Sequence, residues 1–216
     1  MTPDQLQADL TAALADRRLL AHPFYRRWEA GTLQAGELGA YAAQYEHFEA
    51  ALPGLLRSLL ARLEPGDAAD LVLRNLADEE SNPDPHVAVF AGFAEAVGSR
   101  STPPSEATLR LLATYRGLIE SSAEEGLSAV VAYEMQAPAI AESKASGLRR
   151  HYGIDDSGTR FWDIHATMDQ DHARWGIEAL AALGVPESRV IGAARSAADA
   201  WWAFLDDREA AAPIPV

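Results

Sequence analysis

The chain has 216 residues, 48% of them hydrophobic and 8% aromatic, a formal net charge of −14 and no cysteine. That length supports one full hydrophobic core. The missing cysteines exclude disulfide scaffolds, thiolate metal sites, iron–sulfur clusters and cysteine nucleophiles, and the acidic balance argues against a nucleic-acid surface, which needs a basic patch.

Period-two apolar runs are absent, and Ala, Leu, Glu and Arg recur at helical spacing, so the pattern predicts helices nearly throughout. Residues 3–19 read as a first amphipathic helix, with Thr2 as cap and Pro3 at its first position. His22–Trp28 reads as a short helix or turn, and 34–62 as a long helix that Pro53 should kink. Residues 67–80 form the next helix. Two prolines in Ser81-Asn-Pro-Asp-Pro85 interrupt it before His86 opens a helix to about residue 97. Gly98–Ser105 is a loop. Helices follow over 105–120 and 122–151, the second closed by Tyr152-Gly153. Asp155–Gly158 is a turn before a helix at 159–183, and 187–208 is the last helix. The tail from Ala210 to Val216 should be loose. No linker or repeat divides the chain, so about seven or eight helices should make one all-α bundle spanning 1–216. No stretch approaches 18 apolar residues, so no membrane span is predicted. The opening Met1-Thr-Pro-Asp-Gln5 lacks a charged-then-apolar leader, and the expected compartment is the cytoplasm.

Inside the 159–183 helix, His165, Asp169 and His172 fall within roughly 60° of arc on one face. Two imidazoles and a carboxylate converging from one face suit a divalent metal, although a solvated polar stripe has the same spacing. Two ions need about six protein ligands, and mixed oxygen and imidazole donors suit iron or manganese. Glu79 and His86 are seven apart, which on a continuous helix places them on one face about two turns apart. Glu134 reads as mid-helix among apolar neighbours, where a carboxylate is costly to bury without a partner. Pro138 removes the amide that would bond the Glu134 carbonyl, so a bend is expected there. Of the 18 basic residues only Lys144 is a lysine. Arginine-for-lysine drift leaves such a survivor by chance; a need for an amine that can lose its proton does so by selection.

Glu79-x6-His86, Glu134 and His165-x3-Asp169-x2-His172 together resemble the ligand set of the haem-oxygenase-like diiron oxidases and oxygenases. His22-x-Phe-Tyr-x-x-Trp28, Ala40-Tyr41-Ala42, Asn75-Leu-x-Asp78-Glu79-Glu80, Tyr133-Glu134-x-Gln136-x-Pro138 and Lys144 are similar to the branch typified by the chlamydial protein associating with death domains, which makes p-aminobenzoate by consuming its own tyrosine. The similarity runs from about residue 5 to 208. It implies a fold of seven core helices that binds two irons, or an iron–manganese pair, activates dioxygen with an external reductant, and feeds folate synthesis. Carried over by position, Glu79, His86, Glu134, His165, Asp169 and His172 would be the ligands. Tyr25 would be the tyrosine consumed, Tyr41 a second oxidised tyrosine, and Lys144 the amino donor. Glu46 and His47 fall outside the family's ligand set and read best as helix-surface or core-polar groups. On a straight helix Lys144 lies about 15 Å along from Glu134, so it approaches the metals only if the bend helps, or else acts from behind the ligands.

Other readings stay open. The same diiron centre would serve an external small-molecule substrate, such as an amine for N-oxygenation or an amino or fatty acid for oxidative C–C cleavage. A thiamine-degrading enzyme of related fold would need a cysteine. A haem oxygenase would need one axial histidine, for which His22 is the candidate, and would leave the six-residue set unexplained. A ferritin-like protein would show two Glu-x-x-His motifs, and only Asp169-x-x-His172 comes near. A non-catalytic binding protein and a homodimer are both compatible with the sequence.

Overall fold

Ten α-helices and no strand make up the described residues (1–81, 83–184 and 186–211) of the computed structural model. They are α1 Pro3–Ala13, α2 Pro23–Glu29, α3 Ala35–Leu60, α4 Asp67–Ser81, α5 His86–Ala96, α6 Glu106–Ser121, α7 Ala123–Glu134, α8 Ala137–Tyr152, α9 Asp156–Leu183 and α10 Glu187–Ala210. The all-α expectation holds, and no helix of the described residues is long and apolar enough to cross a membrane.

Most boundaries follow from capping. Thr2 and Ser105 accept the N-terminal amides of α1 and α6, and Gly153 and Gly184 end α8 and α9 in the left-handed conformation that glycine adopts without strain. Asp155 accepts the amides of Ser157 and Gly158, so α9 starts at Asp156 rather than after the turn predicted over 155–158. Pro53 lies inside α3 without ending it.

The first predicted helix is too long. It stops at Ala13, and two 3₁₀ turns, Ala15–Arg17 and Leu19–Ala21, carry the chain to α2. Arg195 on α10 donates to the Ala13 carbonyl and satisfies that helix end, while the extended backbone of Arg18 turns the chain. The predicted 122–151 helix is two helices. Met135 caps α7, Pro138 occupies the first turn of α8, and Gln136 fills the joint. The Gln136 amide donates to the Ala132 carbonyl at 3.2 Å, and its oxygen accepts the Leu19 amide at 2.9 Å. Ala210 belongs to α10, and the rest of the predicted loose tail, from residue 212, lies outside the described residues.

Helix α9 is the central column, packed against α8, α5, α4 and α7, while α10 covers α7 and α6. The core is continuous from Leu6 and Leu10 on α1 to Trp201, Phe204 and Leu205 on α10. At Gly176 of α9, any Cβ would strike Val131 of α7. The missing side chain therefore lets those two helices close together beside Glu134.

Candidate metal centre

The interruption between α4 and α5 changes what Glu79 and His86 can do. Seven residues along an unbroken helix would separate them by about 10.5 Å. The Pro-containing break folds α5 back instead, and Glu79 Oε2 lies 2.8 Å from His86 Nδ1. The two residues sit on different helices, as the predicted break before His86 implies, and meet side by side instead of two turns apart on one face. The His86 ring meets the His165 ring of α9 with centroids 4.5 Å apart. Farther along α9, His172 Nδ1 is 3.5 Å from Asp169 Oδ1 and 3.8 Å from Glu79 Oε1. Glu134, the last residue of α7 rather than mid-helix, accepts the Asn75 amide at 2.6 Å on one oxygen. All six predicted ligands are buried, none more than 8% exposed.

Neighbouring groups aim these side chains. His165 Nδ1 donates to the Phe161 carbonyl at 2.7 Å, which leaves Nε2 its lone pair for a cation. His172 Nε2 is 3.3 Å from Asp78 Oδ2, which turns Nδ1 toward Asp169 and Glu79. Asn75 and Asp78 lie one turn and one residue before Glu79 on α4, so a single helix both contributes a carboxylate and orients two more groups.

Electrostatically the pocket is unfinished. Glu134 Oε2 and Glu49 Oε1 are buried with no hydrogen-bond partner among the described residues. Burial, helped by Asp169 and Glu79, pushes the Glu134 carboxyl up to about 8. Burial disfavours charge on His172, but Asp169, Glu134 and Glu79 outweigh it and raise the imidazole to about 10. Burial also opposes the Glu79 charge, yet His86, His165 and His172 hold that carboxyl below its ordinary value. The pocket thus uses protons where a cation would serve better, and imidazole with carboxylate oxygen suits iron or manganese. One ligand atom each from Glu49, Glu79, His86 and His165 lie within 4.8 Å of one another.

Glu49 was not anticipated. A signal existed: Tyr41, Tyr45, Phe48 and Leu52 mark the inward stripe of α3, and Glu49 lies one turn after Tyr45 within it. Glu46 and His47 are half-buried and belong elsewhere, His47 Nε2 donating to the Thr102 carbonyl at 2.8 Å. His22 is fully buried, accepts the Phe24 amide on Nδ1 and bonds Asp206 through Nε2. Both of its nitrogens are engaged, so it offers no axial ligand.

A second buried site adjoins the first. Tyr25 of α2 and Tyr41 of α3 have hydroxyls 2.9 Å apart, and Lys144 Nζ of α8 donates to the Tyr41 hydroxyl at 2.6 Å. The amine lies 3.9 Å from the Trp162 ring centre, 4.6 Å from that of Tyr25 and 5.0 Å from that of Tyr45. Trp28 Nε1 donates to the Lys144 carbonyl at 3.3 Å, and the bare Gly147 lets that indole lie against α8. Burial drives the Lys144 amine well below its ordinary value, against the opposing pull of Glu49. Burial likewise raises the Tyr25 and Tyr41 phenols. The bend at 135–136 places Lys144 here, so its distance along an ideal helix no longer applies. Helices α3 and α9 span both sites: Tyr41, Tyr45 and Trp162 line the cage, and Glu49 and His165 face the metal pocket.

Residues 39–203 match a family of iron-containing redox enzymes of haem-oxygenase type. The chain belongs to that family. It is 34% identical to a 4-aminobenzoate synthase of Nitrosomonas europaea, over 95% of this chain and 92% of that protein. A 4-aminobenzoate synthase of Chlamydia pneumoniae is 30% identical over 91% of both chains. Among solved structures, a protein of unknown function from Nostoc punctiforme, described as like the chlamydial death-domain-associating protein, superposes with a TM-score of 0.80 at 18% identity, covering 97% of this chain and 98% of that one. At that identity the likeness concerns the fold, which is the haem-oxygenase-like helical arrangement.

Proposed function

We propose that this member of the family makes 4-aminobenzoate (p-aminobenzoate) from its own Tyr25, with Lys144 as the amino donor. One observation carries the reading: a buried lysine amine in hydrogen-bond contact with Tyr41 and over the rings of Tyr25 and Trp162, with Trp162 one helix turn before His165 of the histidine–carboxylate pocket. The family and the relatives named 4-aminobenzoate synthase support it. Glu79, His86, Glu134, His165, Asp169 and His172 would hold two irons, or iron and manganese, which with dioxygen and an external reductant supply oxidising power.

The residues of the chain set how that power is used. Tyr41 bridges Tyr25 and Lys144, and once the neutral amine turns its lone pair to the Tyr41 hydroxyl, a proton leaving the Tyr25 phenol can pass to the Tyr41 oxygen as the Tyr41 proton moves to the amine. Both phenols sit above their ordinary values through burial, so neither ionises unaided and the proton must leave together with an electron. The depressed lysine keeps a lone pair, and its nitrogen becomes available for transfer once the proton it has received is given up again. The aromatic enclosure excludes water from a ring that would otherwise be hydroxylated or lost. Because Tyr25 is consumed, each chain turns over once.

The test uses protein grown on ring-labelled tyrosine and ¹⁵N-lysine, exposed to Fe(II), dioxygen and reductant. Expected are 4-aminobenzoate carrying both labels and a mass loss confined to Tyr25 and Lys144. An intact Tyr25 with many turnovers on an external amine or acid would replace this reading by the external-substrate one.

A further inference from the structure

We infer that Glu49 is a metal ligand: with Glu79, His86 and His165 it completes a two-carboxylate, two-imidazole position for one divalent iron or manganese ion. This rests on reading the pocket as a metal centre and adds a donor beyond the six residues assigned above.

The geometry is close to that of a bound ion. Ligand atoms of these four residues, drawn from α3, α4, α5 and α9, lie within 4.8 Å of one another. Donors about 2.1 Å from one ion are at most about 4.2 Å apart, so the group needs to contract by only a few tenths of an ångström. Glu49 is 2% exposed, and its Oε1 has no hydrogen-bond partner among the described residues. A buried carboxylate oxygen is ordinarily satisfied, because leaving it bare costs several kcal/mol. The buried Lys144 amine is hydrogen-bonded to Tyr41, not to this oxygen. The oxygen therefore has a use that protein atoms do not meet.

Charge balance supports the same assignment. Two divalent ions bring four positive charges, and Glu79, Glu134 and Asp169 offset three. Glu49 offsets the fourth, so the loaded centre is neutral in a region where a net charge is expensive. Without Glu49 the buried centre would carry an excess positive charge.

The test is an anaerobic titration of the metal-free full-length chain with Mn(II) and, separately, Fe(II), comparing wild type with Glu49→Gln and Glu49→Leu. Wild type should bind two ions. Both variants should bind one ion as wild type does and the other at least tenfold to a hundredfold more weakly. Thermal unfolding keeps the result interpretable: the metal-free variants should melt no lower than wild type, since a repelling carboxylate is gone, while the rise in melting temperature on adding Mn(II) should shrink. Unchanged affinity for both ions in Glu49→Gln overturns the assignment. So does an equal weakening of both ions, which would mark Glu49 as a nearby charge rather than a ligand. Failure of wild type itself to bind metal would instead sink the underlying reading of the pocket.

Discussion

The metal pocket and the tyrosine–lysine cage are equally dry but are built on opposite principles. The pocket gathers carboxylates and imidazoles from α4, α5, α7 and α9 and leaves a Glu134 oxygen without a hydrogen-bond partner among the described residues, so the apoprotein is held together there by retained protons. The cage surrounds one amine with aromatic rings and a phenol, so the apoprotein is held together there by giving a proton up. In the function proposed above, a cation completes the first arrangement, while the second needs none and is poised for electron and proton loss. Two sites that share helices α3 and α9 therefore respond in opposite senses to the same change of conditions.

The most severe way to break the cage is Tyr25→Phe. It removes the proposed carbon source and should abolish 4-aminobenzoate formation, by at least about a thousandfold in a product assay, while metal binding to the pocket stays intact. Detectable product with repeated turnover would refute self-consumption.

The pocket can be challenged by pH. His172, raised to about 10, and Glu134, raised to about 8, must both lose protons to bind a cation. Mn(II) affinity should therefore climb from pH 6 to pH 8, by up to about tenfold per unit for each proton displaced. Affinity that is flat across that range would show the pocket already deprotonated.

Stability without metal separates the two sites further. The folded chain holds the Glu134 proton between about 4.5 and 8, and the His172 proton between about 6.5 and 10, where the unfolded chain has lost them. Their contributions are full at low pH and are lost as pH rises through those windows. Lys144 works the other way. Its folded value is depressed below 10.5, so the unfolded chain keeps a proton the folded chain lacks, and stability recovers as pH rises toward 10.5. Lys144→Met should thus stabilise the apoprotein by about 1–4 kcal/mol at pH 7 in urea unfolding, with the gain vanishing near pH 10.5. It should also eliminate product. A destabilised Lys144→Met would mean the ring faces hold an ammonium after all.

The mildest perturbation is Tyr41→Phe, which keeps the ring packing and removes only the bridge between Tyr25 and Lys144. Product should form about ten- to a hundredfold more slowly, with a solvent isotope effect smaller than that of wild type. An unchanged rate would take Tyr41 out of the proton path.

Particular residues show how far the sequence reaches. The His165, Asp169, His172 stripe was legible because a helix fixes its own facing, and α9 is an unbroken helix through all three. Lys144 stood out by composition alone. Glu79 and His86 were recognised as a pair with their geometry left open, since a proline break redirects everything after it by an angle that local sequence does not set. For Lys144 the bend at Pro138 was foreseen but not where it carries the amine, because Gln136 and Pro138 make a joint that depends on the distant Leu19 amide. Glu49 was missed because its meaning lies in what α4, α5 and α9 bring to it.

By itself, then, the sequence determined an all-helical chain, its caps and stops, and the donor types that make a cation and a reactive amine plausible. These are short-range matters of backbone hydrogen bonding, proline and glycine geometry and side-chain chemistry. Only the tertiary structure decided that Glu49 joins the histidines and that Lys144 meets Tyr41 and Tyr25. Those contacts join residues far apart along the chain, 103 positions in the case of Tyr41 and Lys144, and lying on different helices. They are fixed by close packing, such as Gly176 against Val131 and Gly147 against Trp28, where shape selects one arrangement of the helices among those the hydrophobic pattern allows.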